Sequence, residues 1–373
     1  EVNVRASTSV TYTYDGDGEV SVSSSNTNVA TTSVDRNTKT ITINGIIAGT
    51  VTITISAAEG TNYLAADDKT IRVTVNRIAG DITLDKTSEN VTYGTESVTL
   101  RVNSHHGGEL SVAQNGTNVD GVTTRITNST ITISGLANLN AGTRVTLRVT
   151  SGQTNIYNSA SVDYTITIVK AKPTITVSNN VTVNALASTT VTYTYNGDGV
   201  VSVESNNTDM VTCSVDTSKK EITINGLTAG NTSIIVSSAE GTNYLPAESK
   251  TINITVNRIA GNITLDKTSE EVVYGTTSVE LNVTIHHGGE LSAKQDGTNV
   301  EGINTSISEN KVTVSGLGSL TAGTHVTIKV TSGQTNIYHS ASADYTVTIV
   351  KKKPTITPTS NHATVDALAS TTV

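Results

Sequence analysis

The chain repeats itself, and that limits what it can fold into more than any other property. The run VTYTYDGDGEVSV at Val10 returns as VTYTYNGDGVVSV at Val191, and NRIAGDITLDKTSENVTYGT at Asn76 returns as NRIAGNITLDKTSEEVVYGT at Asn257. The period is about 181 residues, the spacing from Val10 to Val191. A second pattern recurs at about half that spacing, since the stretch from Ile222 to Val256 has relatives beginning at Ile41, Ile131 and Val312. Each half-period is long enough to be a small folding unit, so the order is A-B-A-B with a further A begun at the end. The expected units are 1–76, an A unit lacking its first strand, 77–170 (B), 171–258 (A) and 259–351 (B). Residues 352–373 are then the start of a further A unit or a donor strand.

Residue types say what each unit contains. The chain has no Phe and no Trp, 12 Tyr, and one each of Met and Cys, and is rich in Thr, Ser, Val and Ile. β-Branched side chains are stiff at χ1 and suit a pleated surface, so the composition favours sheet over helix. The complete A copy offers eight short alternating runs: KPTITV, VTV, TTVTYTY, VVSVES, MVTCSV, EITIN, TSIIVSS and KTINITV. Val191, Tyr193 and Tyr195 share one face while Thr192 and Thr194 share the other. Asn196-Gly197-Asp198-Gly199 reads as a hairpin turn. Comparing the B copies separates core from surface: Leu100 and Val102 match Leu281 and Val283, whereas Arg101 becomes Asn282. The fold class is all-β, with tandem Greek-key β-sandwiches, and the resemblance given below implies that they are immunoglobulin-like. Pro173 and Pro354 follow Lys-rich joints and restrict the chain there, which implies serial domains arranged as an elongated rod.

The runs from Ile222 to Asn231 and from Val312 to Thr324 share a pattern: hydrophobic-Thr-hydrophobic, then Asn or Ser, then Gly-Leu, followed by Ala-Gly. TNY or TNIY loops come next, at Thr242 to Tyr244 and Thr335 to Tyr338. In these residues the chain resembles the bacterial immunoglobulin-like (BIG-type) domains found in tandem in surface adhesins, fibres and phage virion proteins. The resemblance spans essentially the whole chain. It implies a non-catalytic structural repeat of an extracellular, cell-surface or virion-surface fibre, acting as spacer or stalk. The alternative is an adhesin repeat that binds a glycan or a host surface protein.

Candidate sites are few. Asp15, Asp17 and Glu19 have the alternate spacing of a calcium loop, although the second copy keeps only Asp198 of the three carboxylates, and a turn explains them as well. His105-His106 and His286-His287 recur, but adjacent side chains on a strand diverge, so a solvated loop is expected rather than a metal site. Tyr63, Tyr157, Tyr244 and Tyr338 are expected to cap the core with hydroxyls bonded to backbone, like a tyrosine corner. Asn90, Asn180, Asn231, Asn253 and Asn282 stand in N-glycosylation sequons. Cys213 cannot form an intrachain disulfide and lies in an alternating run, where a small core side chain is the plain reading. Lys86 and Lys267 are available for isopeptide bonds, without a visible acidic catalyst.

Other classes are disfavoured. Enzyme motifs are missing and no cofactor is implied. A net charge of −8 with scattered signs gives nucleic acid no footing. There is no apolar run long enough for a membrane span. Residues Glu1 to Val10 and the last ten residues share one register, which leaves two explanations. The chain is a window on a longer repetitive protein, or KPTITPTS completes the open first unit of another molecule and the copies associate head to tail.

Overall fold

Alternation of β-branched and polar residues turns one face of each strand inward throughout the computed structural model, which describes residues 1–359, 362, 364–367 and 370. The first sandwich comprises β1 (Val2–Asn3), β2 (Ser7–Thr11), β3 (Val20–Ser24), β4 (Ala30–Asp35), β5 (Thr40–Gly45), β6 (Gly49–Ala57) and β7 (Ala66–Asn76). Its sheets are ordered β1-β7-β6-β3 and β2-β5-β4. The second comprises β8 (Ile82–Leu84), β9 (Ser88–Thr92), β10 (Ser97–His105), β11 (Leu110–Gln114), β12 (Thr123–Thr127), β13 (Thr130–Ser134), β14 (Arg144–Ser151) and β15 (Ala160–Val169), ordered β12-β13-β10-β8 and β11-β14-β15-β9.

The third has β16 (Ile175–Val177), β17 (Asn180–Asn184), β18 (Ser188–Tyr195), β19 (Val201–Ser205), β20 (Val211–Asp216), β21 (Glu221–Gly226), β22 (Gly230–Ser238) and β23 (Lys250–Asn257). Its sheets run β16-β18-β21-β20 and β17-β23-β22-β19. The fourth has β24 (Ile263–Leu265), β25 (Ser269–Val273), β26 (Ser278–His286), β27 (Leu291–Gln295), β28 (Asn304–Ser308), β29 (Lys311–Ser315), β30 (His325–Ser332) and β31 (Ala341–Val350). It repeats the pattern as β24-β26-β29-β28 and β25-β31-β30-β27.

The protein is therefore all-β, built of immunoglobulin-like sandwiches in tandem. In each, one short strand lies parallel on the last strand: β1 on β7, β9 on β15, β17 on β23 and β25 on β31. All other ladders are antiparallel. The expected hairpin at Asn196-Gly199 is not one. β18 pairs with β16 and β21, whereas β19 pairs with β22, so this turn carries the chain from one sheet to the other. Its counterpart Asp15-Gly18 links β2 and β3 in the same way.

The cores follow the alternation. Leu100, Val102, Leu281 and Val283 are buried and Arg101 and Asn282 exposed. Each such aliphatic side chain contributes about 1.5–3 kcal/mol on burial. The two kinds of sandwich differ most at one core position of the last strand. Tyr164 and Tyr345 are fully buried in β15 and β31, opposite Leu147 and Ile328. In β23 the equivalent residue is Ile252, opposite Ile234.

The chain divides into two compact units. One is Glu1–Pro173 with Gly197–Gly199 and Glu240–Ala247; the other is Thr174–Asn196, Val200–Ala239 and the remainder from Glu248. Residues 351–359 form no strand. What was expected of 360, 361, 363, 368, 369 and 371–373 lies outside the described residues. No helix among the described residues is long and apolar enough to cross a membrane.

Candidate functional site

Three of the TNIY and TNY loops, at Tyr157, Tyr244 and Tyr338, are clamps at the joints. In the first unit, the Ile78 N–H donates to Ile156 O (3.0 Å) and the Asn158 N–H to Ile78 O (2.8 Å), forming a short parallel bridge. Arg77 Nε adds a bond to Thr154 O (2.7 Å), and the Ala48 N–H, after β5, donates to Asn155 O (2.8 Å). The second unit repeats all four: Ile259 N–H to Ile337 O, His339 N–H to Ile259 O, Arg258 Nε to Thr335 O and Ala229 N–H to Asn336 O. A third clamp in the first unit joins Ala171 to the loop Asn243–Leu245, where the Ala171 N–H donates to Asn243 O and the Leu245 N–H to Ala171 O.

Each clamp loop is pre-shaped before it grips. In TNIY, Thr154 Oγ1 accepts from the Ile156 and Tyr157 N–H groups, an ST-turn. In TNY, a carboxylate from the sheet-crossing turn does this work: Asp17 Oδ2 accepts from the Asn62 main chain (2.8 Å) and side chain (2.9 Å), and Asp198 Oδ2 accepts from the Asn243 N–H (2.7 Å). A Cβ on Gly60 or Gly241 would stand within 2 Å of Oδ1 of Asp17 or Asp198, so only glycine admits the carboxylate. Desolvation acts to raise Asp17, but the Asn62 donors prevail and hold it below the usual carboxylate range.

His106 takes the corresponding place in the second sandwich. Its Nε2 bonds to Gly152 O (2.8 Å), and its Nδ1 lies 2.9 Å from Asp81 O and 3.1 Å from Asp81 N. The ring packs on Tyr157 at 5.3 Å, and His287 on Tyr338 does the same. A Cβ on Gly80 would lie 2.1 Å from Asn158 O and 2.6 Å from this imidazole. His106 is thus a tether, not the solvated loop residue expected.

The four loop tyrosines are not core caps. Tyr157, Tyr244 and Tyr338 are half-buried at their clamps, and Tyr157 accepts a hydrogen bond from Arg5 Nη1 (2.8 Å). Tyr244 packs edge-on against Tyr93. Tyr63 is 51 % exposed and the neighbouring Leu64 80 %. The capping role falls instead to Tyr164 and Tyr345, whose hydroxyls donate to Glu89 and Glu270 (2.7 Å each). Lys86 and Lys267 bond the same carboxylates, so the lysines considered for isopeptide chemistry each sit on a glutamate. Desolvation acts to raise Glu89, but the Lys86 and Tyr164 bonds leave it lowered; Glu270 is lowered first by Lys267, then by Tyr345.

The structure does not bring Asp15, Asp17 and Glu19 together as a calcium loop. Asp17 turns to Asn62 and Glu19 to Arg36, and no cluster of three or more His, Cys, Asp or Glu side chains suited to a metal occurs among the described residues. Asn90, Asn180, Asn231, Asn253 and Asn282 are all exposed; Asn253 Nδ2 donates to Asn180 Oδ1 and Asn282 Nδ2 to Asp266. Cys213 is half-buried, and burial pushes its thiol up.

In the third sandwich β16 pairs with the end of β18, as Ile175 with Tyr195 and Val177 with Tyr193, and Ile175 is only 2 % exposed. Glu1 aligns with Thr182, downstream of β16, and in the first sandwich β2 ends at Thr11, before the equivalents Tyr12 and Tyr14. A cleft of about 350 Å³ lies there, lined by Tyr12, Tyr14, Asp15, Ile55, Ala57 and Ala66 among others.

No protein-family model and no curated protein matches the chain. Solved structures do. The I-band fragment I67–I69 of titin matches 74 % of this chain and 100 % of its own at 10 % identity and a TM-score of 0.32. Sidekick-1 immunoglobulin domains 1–5 match 94 % of this chain and 78 % of their own (12 %, 0.29), and Drosophila N-cadherin EC1-4 matches 92 % and 94 % (10 %, 0.30).

Proposed function

We propose that the chain is a non-catalytic structural repeat of an extracellular or virion-surface fibre of the bacterial immunoglobulin-like type, serving as a spacer. The observation that carries this reading is the clamp: the same backbone bridge recurs three times, and at Ile78 and Ile259 it fixes neighbouring sandwiches within a unit. Periodic clamping suits a part whose task is reach and stiffness. Small-angle scattering on this chain, and on one carrying a second copy of residues 171–351, tests it. The maximum dimension should grow in proportion to the added period, and an unchanged dimension refutes the spacer role. Antibody labelling of intact cells or particles tests the location. Head-to-tail association by strand complementation is part of the same proposal, and the boundaries 1–76, 77–170, 171–258 and 259–351 are its units.

A second reading, an adhesin repeat that binds glycan, draws on two equivalent polar clefts of about 540 and 470 Å³ beside the first and last clamps. They are lined by Thr74, Asn76, Arg77 and Asn158, and by Asn231, Thr255, Arg258 and His339. Glycan-array binding lost in Asn76→Ala and Asn231→Ala would favour it.

A further inference from the structure

We propose that Asn115-Gly116 and Asn196-Gly197 are self-modifying sites, where the folded chain converts asparagine to aspartate and isoaspartate. The chain holds four Asn-Gly pairs, at Asn44, Asn115, Asn196 and Asn225, and the chemistry open to them is the same. The glycine main-chain nitrogen attacks the asparagine Cγ. A bond forms between those atoms, the Cγ–Nδ2 bond breaks, and Nδ2 departs with the glycine N–H proton as ammonia. Water then opens the cyclic imide at one carbonyl or the other, leaving an ordinary aspartyl or a β-linked isoaspartyl residue. One water enters for each ammonia released, and no other reactant is needed. Glycine hinders this closure least among successors, because it has no Cβ to obstruct the approach.

The fold separates the four pairs. Asn44 and Asn225 stand in β5 and β21, and the buried Gly45 and Gly226 donate their N–H groups to Ala6 O and Ala187 O (2.9 Å each). Both ends of each side-chain amide are held, by Ser7 and Thr31 at Asn44 and by Ser188 and Thr212 at Asn225. A Cβ on Gly45 or Gly226 would stand 2.6 Å from Asn3 O or Asn184 O, so the main chain there is hemmed in. Asn115 and Asn196 instead follow the last residues of β11 and β18. Neither the Gly116 nor the Gly197 N–H donates to a partner among the described residues. Gly116 is exposed, and a Cβ on it would meet nothing within 4 Å. Each of these side chains is tied at one end only, Asn115 Nδ2 donating to Asp163 Oδ2 (3.0 Å) and Asn196 Oδ1 accepting from the Thr174 N–H (2.7 Å).

The repeat already displays the product. Asn196 is matched by Asp15 and Asn115 by Asp296, whereas the strand residues Asn44 and Asn225 match each other. The Asp296 N–H donates to Thr327 O just as the Asn115 N–H donates to Thr146 O, and Gly297 keeps the positive φ of Gly116 (80° and 96°). The Asp296 carboxylate pairs with Lys329, the equivalent of Arg148. Arg148 holds Asp163, the residue that Asn115 touches, so a carboxylate formed at Asn115 arises beside a cation. Each conversion adds one negative charge to the net −8.

The full chain, held in mildly alkaline buffer at body temperature and peptide-mapped by mass spectrometry, should gain about 1 Da at Asn115 and at Asn196. Both rates should exceed those at Asn44 and Asn225 at least ~10-fold, because the strand pairs react only when their sheets open. In guanidinium the four rates should converge. Asn115→Gln with Asn196→Gln, folded by circular dichroism, should lose the acidic bands that the parent chain accumulates in isoelectric focusing. A turn pair that stays intact, or a strand pair that keeps pace in the folded chain, would overturn the assignment. So would a spread of rates that survives in guanidinium, since local sequence rather than the fold would then be setting it.

Discussion

Asp17 and Asp198 show what single residues contribute here. Across the two copies of the sheet-crossing turn, Asp15 becomes Asn196 and Glu19 becomes Val200, yet Asp17 is kept as Asp198. Gly60 and Asn62 are kept as Gly241 and Asn243. That internal comparison held the signal for the tether. The spacing of the carboxylates pointed to calcium because spacing along a loop does not report where each side chain turns. Gly241→Ala must push Asp198 off the loop, and should lower stability by about 1–3 kcal/mol in chemical denaturation. The carboxylates also set an acid limit. Asp17, Glu89 and Glu270 have folded-state values held below their unfolded ones, so the folded state binds fewer protons near pH 4. Their stabilisation is present above the unfolded carboxylate range and is lost as pH falls through the folded values. Thermal midpoints should thus be flat near neutrality and drop below about pH 4. Glu89→Gln with Glu270→Gln should lower the neutral plateau and make the acid drop shallower; an unchanged pH profile would count against this account.

At the level of strands, alternation made most of the architecture legible. The eight runs read in the third sandwich correspond to its eight strands, with ends shifted by a few residues, and the inward pairs Leu100/Val102 and Leu281/Val283 are core. Period-2 patterning reports which face a side chain takes but not which neighbour the strand pairs with. For that reason the turn at Asn196-Gly199 read as a hairpin although it crosses between sheets. The clamps were harder still, because they are made of backbone N–H and C=O groups that every sequence supplies. Arg77 and Arg258 mark two of them with a side chain, and Asn243, whose Oδ1 accepts from the Ala141 N–H, marks the third. Leu100→Ala and Leu281→Ala should each cost about 2–5 kcal/mol, with similar values in the two copies. Unequal losses would show that the two cores pack differently.

For the molecule as a whole, the clamps predict a pattern of backbone protection. The amides of Ile78, Asn158, Ile259, His339 and Leu245 are donors in bridges, so in hydrogen exchange they should open with the joints rather than with the loops. Leu64 is the equivalent of Leu245 but donates to no such bridge among the described residues, so its amide should exchange faster in the monomer. Equal rates at Leu64 and Leu245 in the monomer would contradict the clamp. Another consequence follows from the difference between the cores at Tyr164 and Ile252. Near-identical sandwiches never adjoin in sequence, because an A core with Ile in its last strand is always followed by a B core with Tyr. During synthesis the strand most available to invade a half-formed sandwich comes from the adjacent unit, and it carries a side chain of the wrong volume: a tyrosine too many, or a void where one belongs. An exchange between neighbours should therefore give a strained product that reopens, while a matching strand arrives only after a full period has emerged.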